Sequence, residues 1–366
     1  MTETIPGAHD VREEDAFDVE AVRDWLAAQG HPLTGDVTVR QFGGGASNLT
    51  YSLRTEHEDL ILRRPPAGQK AKGAHDMGRE YRIQSGLADV FPLVPEMVAL
   101  CEDETVIGSQ FYVMKRIDGI IPRRDLPPGV TLTTEQARAL CTKALDVLID
   151  LHRVDVDATP LAAMNKGEGY VRRQVEGWST RYRNARTDDA PDGDAVMAWL
   201  AEHQPADVAH CLIHNDFRFD NLVLDADDVT RVVGVLDWEM ATVGDPLMDL
   251  GGTLAYWVQD DDDEFFRQFR RQPTNLPGML TRAEVVDYYC GKMAPHLGIS
   301  SLTPEQWRFY EVFGLFRLAV IAQQIYYRYF HQQTTNEAYA IFGPATHYLL
   351  ARCHSIIGAD GPGGTA

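Results

Sequence analysis

His214-Asn215-Asp216-Phe217-Arg218-Phe219-Asp220-Asn221 decides how this 366-residue chain is read, together with Leu236-Asp237-Trp238-Glu239 a short way downstream. As spacing, the first is H-x-D-x-x-x-x-N and the second is a carboxylate closing an apolar run. Phosphoryl transfer needs such a set. One carboxylate orients the attacking hydroxyl and takes its proton, while an amide and a second carboxylate hold the magnesium that bridges the phosphates. Asp216 is then the candidate base, with Arg218 beside it as a second candidate catalytic residue, and Asn221 and Asp237 are the candidate metal ligands. Arg218 and Asp220 either position substrate or pair with each other or with solvent.

An H-x-D occurs readily by chance, so the flanks matter. Cys211-Leu212-Ile213 leads in, Asn221-Leu222-Val223-Leu224 leads out, Asp225 to Asp228 is a polar turn, and Arg231 to Leu236 is a second strand candidate. Asn221 opens one hairpin arm and Asp237 closes the other. A hairpin brings its ends together, and two oxygen ligands suit magnesium, which takes few protein ligands. A hydrolytic metal centre on His214 and Asp216 would need a further cluster of His or carboxylates at ligand spacing, which the sequence does not offer.

Bulk properties bound the rest. At 366 residues the chain can bury a large core in two domains or lobes. A hydrophobic content of 44% with 24% charged residues is that of an ordinary soluble globular protein. The formal charge of -20 argues against a nucleic-acid partner, which requires a basic face. Five dispersed cysteines without a C-x-x-C fit a reducing cytoplasm without structural zinc. Met1 to Asp15 is acidic and lacks the apolar stretch of a secretory leader. The most apolar helical stretch, Leu315 to Phe330, is broken by Arg317, Gln323, Gln324 and Arg328, so no membrane span is expected.

Composition predicts that residues 1–15 and 358–366 are without structure. Between them the pattern changes once. Strand candidates Val37 to Phe42, Leu49 to Thr55, Leu60 to Arg63, Met97 to Cys101 and Phe111 to Ile117, with a helix over Asp76 to Leu87, make a small antiparallel sheet with one inserted helix. From Thr133, where Thr133-x-x-Gln136 forms a capping box, helices dominate. The boundary is expected at Asp118-Gly119, giving an α+β chain with an N-lobe over 16–118 and a C-lobe over 119–357.

Within the N-lobe, Phe42-Gly43-Gly44-Gly45-Ala46-Ser47-Asn48 joins two strands. Gly44 and Gly45 would let the backbone approach phosphates, and Ser47 and Asn48 could donate to them. It is neither a Walker A loop nor a dinucleotide fingerprint, and a plain hairpin turn is the competing reading. Kinases carry a phosphate-holding Lys on the third strand, paired with a helix Glu. Leu60-Ile61-Leu62-Arg63-Arg64 offers Arg63 there, with Glu80 as its natural partner and Arg64 exposed. An arginine keeps the electrostatic role through bidentate contact. Phe111 to Gly119 reads as the connection between lobes, where the backbone of Lys115 and Ile117 would pair with adenine and Met114 would line the pocket.

Taken together, HNDFRFDN, VLDWEMATVGDPLMDLG, GGGASNLTY, LILRRPP, REYRIQSGL and FYVMKRIDG resemble the aminoglycoside phosphotransferase (choline kinase-like) family of the protein-kinase-like fold, over roughly residues 20 to 355. The branch it is most similar to is that of the kinase domains fused to acyl-CoA dehydrogenases. The resemblance implies an ATP- and Mg2+-dependent O-phosphotransferase with Asp216 as base, Asn221 and Asp237 on magnesium, Arg63 with Glu80 on the phosphates, and Asp249 as a buried brace of the catalytic loop. It implies a small-molecule hydroxyl substrate, possible classes being a hydroxyacyl-CoA-type metabolite or, alternatively, an aminoglycoside or amino alcohol. Arg63 stands where drug-modifying members carry Lys, which also leaves open a catalytically weak nucleotide-binding regulator. No A-P-E follows Asp237, so a protein substrate is not expected.

Overall fold

A computed structural model of the chain describes residues 5, 7–43, 48–66, 76–299 and 302–358. Gly44, Gly45 and Ser47 lie outside them, as does most of the C-terminal tail. The described residues fall into two compact units. The first takes the described residues through Gly119 together with Val223–Asp227 and Val233–Glu239; the second takes Ile120–Leu222, Asp228–Val232 and the rest. A division at 118/119 alone therefore does not describe the first unit, which includes a later stretch of sequence.

The first unit opens with β1 (Ala8–His9), α1 (Val19–Ala28), β2 (Thr38–Phe42), β3 (Leu49–Arg54), β4 (Asp59–Arg64), α2 (Met77–Leu87), β5 (Met97–Cys101) and β6 (Phe111–Lys115). The strands form one sheet in the order β1-β2-β3-β4-β6-β5, antiparallel throughout. Side chains alternate across a strand, and β4 shows the result. Leu60 and Leu62 face Val22 and Leu26 of α1 with Tyr51, Leu53, Phe111 and Val113. Ile61 points the other way, to Met77 of α2, Tyr112 and Met114. Asp18 and Asp76 start the two helices by accepting from Ala21 N and Arg79 N.

Residues 1–15 are not structureless over their described part. β1 pairs with β2, and Glu13–Asp15 is a short 3-10 turn. The cause is side-chain capture from the sheet. Tyr51 Oη and Arg64 Nη2 donate to Asp15 O at 2.7 and 2.6 Å, and Gln41 Nε2 donates to Asp15 Oδ2 at 2.8 Å. This corrects the reading of Arg64 as exposed: it is buried, with its guanidinium 5.5 Å from the Tyr51 ring centroid and 5.6 Å from that of Phe17.

The second unit is mainly helical. It runs through α3 (Thr134–His152), α4 (Tyr170–Asn184), α5 (Asp194–Glu202) and β7 (Cys211–Ile213). Then come β8 (Leu222–Leu224) and β9 (Val232–Val235), which pair with each other and mostly belong to the first unit. β10 (Thr242–Gly244), α6 (Pro246–Ala255), α7 (Glu264–Gln268), α8 (Arg282–Leu297), α9 (Pro304–Phe330) and α10 (Phe342–Gly358) complete it. The Thr133–Gln136 capping box is present on α3, and others start α8 and α9. β7 pairs antiparallel with β10, Ile213 opposite Thr242. That pairing delivers His214 at one strand end and starts α6 with Asp245 at the other. Among the described residues no helix is long and apolar enough to cross a membrane.

Candidate active site

Within the first unit, Arg63, Glu80 and Asp237 meet as an ion-pair cluster. Arg63 is next to last on β4, and its guanidinium forks: Nη1 lies 2.5 Å from Glu80 Oε1 and Nη2 lies 3.2 Å from Asp237 Oδ1. Glu80 is almost fully buried, and burial raises its carboxyl pKa against the lowering pull of Arg63. Burial works to lower the Arg63 pKa, but Glu80, Tyr112, Asp237 and Glu239 together carry it well above its usual value. The guanidinium is therefore a fixed positive charge. Asn48 Nδ2 donates to Glu239 Oε2 at 3.3 Å, and Arg79 Nη1 donates to the Glu239 carbonyl at 2.6 Å. Met114 is buried beside Ile61 and Tyr112. The Lys115 amide donates to the Glu96 carbonyl, just ahead of β5, at 2.8 Å.

Within the second unit, the stretch His214 to Asn221 is a turn held from several sides. Asp216 accepts at Oδ2 from Arg218 Nη2 (3.2 Å) and Asn221 Nδ2 (3.0 Å), and Asn221 Nδ2 also donates to the Asp216 carbonyl at 2.8 Å. Arg218 Nε sits 3.2 Å from Asp216 Oδ1 and 3.4 Å from Asp220 Oδ1, and its guanidinium lies 4.6 Å over the Tyr256 ring. The Arg218–Asp220 pairing left open by the sequence is therefore made, with Asp216 included. Burial raises the Asp220 carboxyl pKa, opposed by Arg218.

Asp249 braces this turn from α6. Its two oxygens accept from His214 N and Asn215 N, each at 2.8 Å, and Oδ2 also meets His152 Nε2 at 3.1 Å. Burial alone would raise its pKa, but the His152 hydrogen bond and charge, with His214, hold it below the usual carboxylate range. A carboxylate only accepts, so His152 Nε2 carries the proton and its Nδ1 meets Tyr289 Oη at 2.6 Å. His152 carries no signal that sequence reasoning could use. It stands in the apolar stripe of α3, and its partner is 97 residues away.

Two residues of the motifs adopt left-handed backbone, Asn215 at φ 64° and Asp237 at φ 66°. Non-glycine residues pay for that conformation and keep it where the surroundings over-determine it, often at functional sites. Among aromatics of the helical unit, Trp257, Tyr310 and Phe313 are core, while Tyr256 lies against Arg218.

Comparison with known proteins places the chain among relatives. The model of the phosphotransferase enzyme family (APH) matches residues 38–285. Acyl-CoA dehydrogenase family member 10 of Mus musculus is 36% identical over 326 residues, covering 88% of this chain and 30% of its own length. The chain thus spans less than a third of that relative. A candidate aminoglycoside phosphotransferase from Ralstonia eutropha superposes with a TM-score of 0.77 at 29% identity, covering 93% of this chain and 98% of its own. Choline kinase from Cryptosporidium parvum shares the fold at a TM-score of 0.60 and 11% identity, covering 93% and 95%. With the family model over most of the chain and an α+β kinase-like architecture beneath it, the chain belongs to the phosphotransferase enzyme family.

Proposed function

We propose that the chain moves the γ-phosphoryl group of ATP to an acceptor hydroxyl with Asp216 as general base. The observation that carries this reading is the Asp216 carboxylate, gripped by Arg218 and Asn221 yet partly exposed. A base held in one direction can take a hydroxyl proton as the oxygen attacks. Arg63, kept cationic by Glu80, would hold donor phosphates.

Asn221 in the second unit and Asp237 in the first each offer an oxygen of the kind that suits magnesium. Asn221 turns Nδ2 toward Asp216, which leaves its amide oxygen as an acceptor. Asp237 is about a third exposed and meets Arg63 through Oδ1. Hard oxygen ligands of this kind fit a hard cation. When bound, magnesium would neutralise charge building on the phosphates.

For the acceptor we favour an anionic hydroxylated metabolite of the hydroxyacyl-CoA type. Support comes from the relative named as an acyl-CoA dehydrogenase family member. A second reading, a nucleotide-binding regulator with little turnover, draws on the Arg63–Asp237 pair, which engages a proposed metal ligand. Titration of Mg-ATP, followed by ATP consumption against 4-hydroxyacyl-CoA thioesters, choline-like alcohols and aminoglycosides, separates the readings. Tight Mg-ATP binding with no turnover on any acceptor favours the regulator. Turnover on aminoglycosides alone overturns the acceptor class and leaves the transfer reaction standing.

A further inference from the structure

Arg317 stands near the middle of α9 and is 8% exposed. A buried guanidinium needs a partner, because desolvating the charge is costly. Its hydrogen bond runs from Nη2 to the Asn215 carbonyl, 2.7 Å away. That carbonyl belongs to the peptide that leads into Asp216.

Every other polar group of Asn215 is already engaged. Its amide donates to Asp249 Oδ1 at 2.8 Å, its Nδ2 donates to the Met240 carbonyl at 3.1 Å, and its Oδ1 accepts from Tyr170 Oη at 3.4 Å. The far side of the peptide is held as well, since Asp216 N donates to His214 Nδ1 at 3.3 Å. A peptide is planar, so fixing its oxygen and its N–H fixes the plane and the direction in which the next side chain leaves. Asn215 is in the left-handed region, where an unheld backbone would relax.

The approach of α9 is itself built in. A Cβ on Gly314 would stand 2.2 Å from Gly251 O, and one on Gly251 would stand 2.5 Å from Tyr310 O, so α6 and α9 cross backbone to backbone. One turn beyond Gly314 comes Arg317. A Cβ on Gly252 would meet its Nη1 at 2.8 Å.

We infer that Arg317 is a positioning residue for phosphoryl transfer: it clamps the Asn215–Asp216 peptide from α9 and so aims the Asp216 carboxylate. This rests on the proposed role of Asp216 as base. The test uses the full chain with Arg317→Met, which keeps length and loses every donor, and Arg317→Lys, which keeps charge and a donor. Two measurements are made, steady-state kinetics on the best acceptor of the panel and hydrogen exchange of the amides of His214, Asn215 and Asp216. Expected for Arg317→Met is a kcat about 10²-fold lower with KM for ATP nearly unchanged, since misaimed groups lose rate rather than nucleotide binding. Arg317→Lys should recover part of the rate, and the three amides should exchange faster while those of α4 and α6 keep their protection. Unchanged kcat with unchanged exchange in Arg317→Met overturns the inference. So does a uniform rise in exchange through α4, α6 and α9 in both variants, which would mark a general packing role. The exchange arm needs no acceptor, so a wild-type chain that turns nothing over counts against the proposed reaction and leaves the clamp to be judged on its own.

Discussion

Arg63 does at one position what a lysine could not. Its planar fork meets two carboxylates at once, Glu80 and Asp237, whereas an ammonium is a single point charge. Arg63→Ala would strand Glu80, a residue with almost no solvent access, and breaking a buried pair from one side costs about 3–5 kcal/mol. We expect a lower denaturant midpoint and weaker ATP binding, with Arg63→Lys recovering part of both; a wild-type midpoint in Arg63→Ala would show that the pair contributes nothing. Asp216→Asn should leave ATP affinity within a few-fold and lower turnover by about 10²–10⁴. Near-normal turnover would remove Asp216 from the chemistry. Asp237→Ala should abolish the magnesium dependence of ATP binding, read by calorimetry with and without the cation. At this scale the sequence was legible where spacing carried the signal. Arg63 and Glu80 do meet. Arg64 was misread because its cover comes from Asp15, Phe17 and Tyr51, and the first two lie near a segment whose acidic composition reads as solvent-loving.

At the scale of elements, caps and strand alternation were readable because both are local. The capping box on α3 and the two-faced pattern of β4 stand where the residues put them. β1 was not readable, since two residues carry no period, and neither were the long-range partners His152 and Arg317, each of which looks like an interruption of an apolar helix. Asp245 shows how one residue ties elements together. It starts α6 by accepting from Leu247 N and Met248 N, and it reaches back to Val208 N at 2.7 Å. Burial outweighs those hydrogen bonds, helped by nearby Asp207, and pushes its carboxyl pKa up to about 6. The folded state therefore binds this proton more tightly than the unfolded state, whose value is about 3.9. The stability contributed by protonation is full below about pH 4 and is lost as pH rises through about 6. Asp245→Asn removes that titration. The stability of wild type minus variant, measured by urea unfolding, should fall by on the order of 3 kcal/mol between pH 4 and pH 7. A difference that stays flat across this range would mean that burial does not govern the group.

Across the whole molecule, 54 acidic residues face 34 basic ones, for a formal charge of -20. Like charges repel through water until salt screens them, and the Debye length shrinks from roughly 30 Å at 0.01 M to roughly 8 Å at 0.15 M. The melting temperature should therefore rise over that range of sodium chloride, and a fall would show that attractive pairs dominate the long-range field. The order in which the chain is assembled leaves its own mark. Val235 N donates to the Leu93 carbonyl at 2.7 Å, Trp238 packs edge-on against Phe91 with centroids 5.9 Å apart, and a Cβ on Gly119 would collide with Leu224 O. All of these closures join the early segment of the first unit to residues 223–239. A ribosome that has just finished Gly119 must add roughly 120 more residues before Glu239 exists. At about 5–20 residues per second that is on the order of ten seconds during which Phe91 and the Leu93 carbonyl wait without these partners. The unit at the N-terminus is thus not complete when its first 119 residues have been made: in nascent chains arrested at residue 119 it should stay open to proteases, and in those that include residue 239 it should be protected.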